Sequence, residues 1–196
     1  GRSVYLATSS DFERFSFPKL VFNTDETDNQ NRIKRIQAVI DDPEYLTPPV
    51  VGGPDYNIAQ CYQMAVLPYE GIYVGFPVLY NPAGPTGLGN DTGLNQVELT
   101  VSRDLYHWDR VADRAVFIGV DPWDGESYGS AQNLLCGRPI VRGEEIWIYY
   151  NAVRIRDNKE LYWEQERYGF VDTDLFKNVG ALHLAKLRLD GFVSLD

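Results

Sequence analysis

The chain has 196 residues, 44% of them hydrophobic and 23% charged, enough for one domain with a real core. Its formal net charge of −10 argues against a nucleic-acid partner, because phosphate binding needs clustered Lys and Arg. No run of 18 apolar residues occurs, so the sequence predicts no helical membrane span.

Aromatic residues make up 13%, with 13 Tyr, 9 Phe and 4 Trp. Such residues favour strands and also line ligand sites. Cys61 and Cys136 lack metal-ligand spacing and only His107 and His183 accompany them, so no metal site is expected. The two cysteines read as small buried hydrophobes, with a single disulfide as the alternative.

In chain order, the first element is a strand and polar turn at Val4–Phe15, and it recurs without a gap at Val97–Trp108. Val4, Leu6, Ser9, Asp11 and Phe15 match Val97, Leu99, Ser102, Asp104 and Trp108. A degenerate third copy runs from Leu182 to Phe192, with Asp190 in the turn. The alternation predicts a half-buried strand. The Ser-x-Asp pair is expected to bond turn amides, so Asp11, Asp104 and Asp190 read as turn residues. The aromatic residue four positions after the Asp is expected to return to the core.

A second repeated unit lies between these copies. Tyr62–Pro68 and Ile72–Tyr80 read as strands joined at Tyr69-Glu70-Gly71. Pro139–Val141 and Ile146–Tyr150 read likewise, joined through Arg142-Gly143-Glu144-Glu145. The order is hairpin AB, loop, hairpin CD, and again. Four antiparallel strands per unit describe a β-propeller blade. The fold expected is therefore all-β: a trailing hairpin at 3–22, a blade at 56–118 and a blade at 130–196, within one partial domain over 1–196. About two and a half blades are fewer than the four to eight that close a propeller. Self-association, or a complementary chain that completes the ring, is the partner expected. Long connections are expected at 23–55, with a short helix near Arg32–Ile40, at 81–95 and at 154–180.

Four stretches stand out together: Leu99–Asp104 with Trp108, Gly119–Asp124, Glu145–Tyr150 and Leu187–Leu195. They resemble the five-bladed propeller glycoside hydrolases of the family 43 and family 32 type, and uncharacterised bacterial proteins with a family 32 N-terminal-like domain. The resemblance implies a carbohydrate-active protein in an extracellular or periplasmic setting. It also implies that this chain is the C-terminal part of the propeller, with part of a carboxylate triad outside it. A non-catalytic sugar-binding or scaffolding propeller, or a piece inactive without its other half, is the alternative.

Glycoside hydrolysis needs a carboxylic acid at the leaving oxygen and a carboxylate across the bond. Strand order puts the D–A and B–C loops at the channel mouth and the A–B and C–D turns on the far side. The catalytic candidates are therefore Asp55, Asp124 and Glu126, with Asp121 beside them. Glu70, in an A–B turn, is the runner-up. Tyr56, Trp123 and Tyr128 are candidate sugar-stacking residues. Arg154, with Arg156 and Arg167, is placed to bind an acidic sugar or to pair with the neighbouring carboxylates. Calcium is the cation such an acidic mouth would take, although no Asp-x-Asp-x-Asp-Gly loop marks a site.

Overall fold

The computed structural model describes residues 1–42, 57–85, 91–122, 126–154 and 178–192. Among these residues the chain is strand-rich, with one long helix. Strands β1 (Val4–Leu6) and β2 (Lys19–Phe22) form an antiparallel hairpin, followed by helix α1 (Glu26–Asp41). The first large sheet is an antiparallel meander. Strand β3 (Gln60–Tyr69) pairs with β4 (Ile72–Pro85) from Gln60↔Tyr80 to Tyr69↔Ile72. Strands β5 (Asp91–Glu98) and β6 (Thr100–Ser102) lie against β4 in one register, from Val78↔Val97 to Tyr73↔Ser102. Strands β7 (Asp109–Arg110) and β8 (Val116–Ile118) complete its edge.

The second sheet has β9 (Gln132–Leu135) and β10 (Ile140–Arg142) on one side of β11 (Glu145–Val153) and β12 (Gly180–Arg188) on the other. One parallel bridge, Asn95↔Gln132, makes the two sheets arms of a single ten-stranded sheet. Hydrophobic packing is what chiefly holds them together. Leu67, Val74, Phe76, Val78 and Val97 meet Leu135, Ile146 and Ile148 between them. These positions follow the two-residue alternation of each strand. The opposite face of the first sheet packs Leu79 and Cys61 on Phe22, and Ala83 and Leu94 on Ile36 and Val39 of α1.

The predicted hairpins at 62–80 and 139–150 appear as β3–β4 and β10–β11. The turns named in the repeat also appear. In the first copy Ser9 Oγ accepts from the amides of Asp11 and Phe12, and Asp11 Oδ1 from those of Glu13 and Arg14. In the second, Ser102 Oγ accepts from Asp104 and Leu105, and Asp104 Oδ1 from Tyr106 and His107. Phe12 and Leu105 take the same left-handed conformation, φ 61° and 69°. In the third copy the turn is instead tied across the molecule: Tyr69 Oη donates to Asp190 Oδ1 at 2.5 Å and accepts from the Asp190 amide at 2.9 Å.

The closing aromatic returns to the core in the second copy, as Phe192 does at the end of the third, but not in the first. Trp108 packs with the Phe22–Cys61–Leu79 cluster and donates from Nε1 to Leu105 O at 3.0 Å. A Cβ on Gly75 would lie 2.7 Å from the Trp108 ring, so only glycine admits the indole there. Phe15 is 59% exposed, in a patch with Tyr5, Phe12, Phe17 and Leu20. Nothing in the described residues buries these side chains.

Two connections also differ from expectation. The helix in 23–55 spans 16 residues, not one short stretch near Arg32–Ile40. Asp25 caps it, accepting from the Asp28 amide while the Asp28 side chain accepts from the Asp25 amide. Its buried residues Asp28, Arg32, Ile36 and Val39 recur at helical spacing. Most of 81–95 is strand rather than loop: β4 runs to Pro85 and β5 starts at Asp91, with a bulge between Pro82 and Gly84. Residues 155–177 lie outside the described set, so the 154–180 connection does too.

Both cysteines are free, Cys61 buried and Cys136 exposed, which corrects the expectation that both are buried. Burial pushes the Cys61 thiol up to about 12. A colourless aromatic disulfide reagent is therefore expected to titrate one thiol quickly in the native protein and two in denaturant. Two fast thiols under native conditions would contradict this burial.

Candidate functional site

Four predicted site residues, Asp55, Tyr56, Trp123 and Asp124, lie outside the described residues, as do Arg156 and Arg167. Among the others the structure brings Glu126, Tyr128 and Arg154 together and leaves Glu70 apart. Arg154 follows the end of β11, and Glu126–Tyr128 precede β9, so the segments flanking these two strands meet. Arg154 Nε donates to Ser127 O at 3.0 Å and Nη2 to Glu126 O at 2.6 Å. Its guanidinium carbon lies 4.0 Å from the centre of the Tyr128 ring.

The roles expected of Arg154 are binding an acidic sugar or pairing with neighbouring carboxylates, and these contacts go instead to backbone carbonyls and a ring. Arg154 is buried and clamps the 126–128 backbone while stacking on Tyr128.

The clamp shapes what lies beside it. Ser127 Oγ donates to Asp121 Oδ2, and the Asp121 amide donates to Gly129 O at 3.1 Å. A Cβ on Gly129 would fall 2.4 Å from that carboxylate oxygen, so the absence of a side chain lets Asp121 fold against the loop. Asn133, buried at the start of β9, donates from Nδ2 to Gly119 O and Gly129 O and ties the loop to the sheet.

Two further residues belong to this group and escape a reading of sequence alone. Tyr150 and His183 are paired across β11 and β12, so their side chains share one face. Their rings are 5.3 Å apart and inclined by 73°, and His183 Nδ1 lies 3.3 Å from Tyr150 Oη in a shared hydrogen bond. The Tyr128 ring meets His183 edge-on at 6.3 Å. Partial burial, with the nearby Asp121 charge, raises the Tyr150 phenol above its usual value. No spacing rule links residues 33 positions apart; only the β11–β12 register does.

Glu70 sits in the two-residue β3–β4 turn with φ 45°, followed by Gly71 at φ 80°. Tyr80 of β4 pairs with Asn95, which bridges to Gln132 near the clamp. Eight residues of strand separate Ile72 from Tyr80, roughly 26 Å. Glu70 is thus at the other end of the sheet from Tyr128 and Arg154.

That far end carries a surface cleft lined by Ile72, Ser102, Asp104 and His107. Its polar groups serve the turn. His107 Nδ1 lies 2.7 Å from Asp104 Oδ2, while Asp104 Oδ1 accepts two amides. The hydrogen bond from His107, with those amides, holds Asp104 well below the usual carboxylate range, and the carboxylate in turn raises His107. A histidine raised on folding stabilises the fold below about pH 6.5 and ceases to as pH rises through its folded value. Proton NMR is expected to place the His107 pKa above the usual histidine value, and Asp104→Asn is expected to bring it down. An unchanged His107 titration in that variant would refute the pairing.

Among the described residues no three His, Cys, Asp or Glu side chains gather as a metal-holding group. No helix of the described chain is long and apolar enough to cross a membrane. No protein-family model matches the chain, and no curated protein matches it either.

Proposed function

We propose that this chain is part of a β-propeller carbohydrate-active protein of the glycoside hydrolase type. Its glycan site is the loop cluster of Asp121, Glu126, Ser127 and Tyr128, held by Arg154. The observation that carries the reading is the meeting of a carboxylate with aromatic rings at one end of face-packed antiparallel sheets. Carboxylates bond sugar hydroxyls, and rings take the C–H-rich sugar face. The resemblance of the Ser-x-Asp hairpins and the Gly119–Asp124 stretch to sugar-acting propellers supports the same reading.

In this reading Asp121 is one described carboxylate at the mouth, and Asp55 and Asp124 are its candidate partners across the scissile bond. The test is a screen of aryl glycosides and oligosaccharides. Turnover that falls at least about a hundredfold in Asp121→Ala or Asp124→Ala supports a hydrolase, since acid–base groups supply factors of that order. Binding without turnover leaves the sugar-binding alternative, and the absence of both turnover and binding overturns the proposal.

The propeller reading also requires sheets over the patch of Tyr5, Phe12, Phe15, Phe17 and Leu20, from a second copy or a complementary chain. Light scattering at micromolar concentration tests the self-association arm, and a monomeric mass counts against it.

A further inference from the structure

The inner face of the second sheet changes character along its length. Ile146 pairs with Leu187 and Ile148 with Ala185, and all four pack in the core between the sheets. The next inward rung is Tyr150 with His183. It continues the same alternation, yet both rings are only half-buried. Two polar-edged rings interrupt the aliphatic pairs beside the loop cluster, and those pairs resume at Ala152 with Ala181. Packing alone is served by the aliphatic pairs of the preceding rungs.

Resting on the glycan reading above, we propose that the Tyr150–His183 rung, with Tyr128 edge-on to it, is the ring-stacking platform of the site and selects a neutral sugar. The platform has the apolar faces that a pyranose or furanose ring covers with its C–H groups. Beside it, Asp121 has Oδ2 occupied by Ser127, and its other oxygen carries no hydrogen bond among the described residues. That oxygen accepts a sugar hydroxyl.

The surrounding charges decide against charged ligands. A uronic acid would meet the Asp121 carboxylate, and the guanidinium that might have balanced it is committed to the carbonyls of Glu126 and Ser127. An amine or quaternary ammonium suits an aromatic cage in general. Here the Arg154 guanidinium already stacks 4.0 Å from the centre of Tyr128, so that ring face is taken and no aromatic cage closes around a second cation. A neutral, hydroxyl-bearing ring meets neither penalty.

The experiment is calorimetric titration of the full chain with hexasaccharides: cello-, manno- and xylohexaose as neutral probes, hexagalacturonate as the acidic one and hexaglucosamine as the cationic one. Binding of a neutral probe in preference to both charged ones is expected. Tyr150→Ala and His183→Ala are each expected to weaken it about tenfold or more, the scale of one lost aromatic contact with its hydrogen bond. Tyr150→Phe keeps the ring and is expected to stay within about threefold, which separates stacking from misfolding. Preference for a charged probe overturns the inference. So does neutral binding that Tyr150→Ala and His183→Ala leave unchanged, and in that case the glycan reading survives. Failure of every probe to bind counts against both.

Discussion

Replacing Arg110 with alanine is expected to cost about 3–5 kcal/mol of stability, the usual penalty for removing one partner of a buried ion pair. Arg110 donates to both oxygens of Asp28, at 3.0 and 2.8 Å, and to Glu98 Oε2. Both carboxylates are fully buried, and Arg35 reaches the second oxygen of Glu98 at 2.6 Å. Arg114 adds a contact to Asp28 at 3.1 Å and pairs with Asp25, whose carboxyl it holds down at about 2. Three carboxylates and three guanidinium groups thus balance where α1 meets the first sheet.

Without Arg110, Asp28 and Glu98 would each keep one cation but lose the one they share. Arg110→Lys is expected to recover only part of the loss, because an ammonium cannot span both oxygens of Asp28. Urea unfolding followed by tryptophan fluorescence measures both variants. A loss under about 1 kcal/mol for Arg110→Ala would mean that the pairs are no better than solvated surface bridges.

This network also marks where the sequence is hardest to read. Glu98 stands in the alternating run Val97–Ser102, where a glutamate between apolar residues signals the solvent face of a strand. That face is covered by α1, whose own buried stripe includes two charged residues, Asp28 and Arg32. Each partner conceals the other, because charge at a helix or strand position reads as exposure unless the counter-charge is known to lie opposite. The same blindness shortened α1: only Ile36 and Val39 of its four buried positions are apolar.

The turns, by contrast, were open to reading because their logic is local. Ser9 and Asp11, or Ser102 and Asp104, find their partners within three residues. The two hairpins follow from alternation and a two-residue turn. The candidate site falls between these cases. Topology brings Glu126–Tyr128 near Arg154, as loop order suggests, but the chemistry of that approach is set by backbone carbonyls, which sequence does not advertise. Tyr150 and His183 depend on a strand register across residues 155–177.

The second large effect is expected at Phe76. Among the described residues few hydrogen bonds join the two large sheets, namely the Asn95↔Gln132 bridge, Gln63 Nε2 to Leu135 O and the Tyr69–Asp190 pair, so their union rests mainly on side-chain packing. Phe76 is fully buried in that packing, with ring centres 6.0 Å from Phe117 and 5.8 Å from Phe192. Phe192 in turn meets Tyr69 edge-on at 5.8 Å, and Tyr69 holds the Asp190 turn. Phe76→Ala removes the central ring from this set and leaves a cavity between two sheets that have little else to draw them closed. The expected cost is about 3–5 kcal/mol. Phe76→Leu keeps most of the apolar volume and is expected to cost clearly less, about 1–2 kcal/mol. Urea unfolding of the two variants decides the matter. Equal losses would point to the edge contacts between rings as the source of stability, and a loss below about 1 kcal/mol in Phe76→Ala would mean that the sheets are joined by something other than this core.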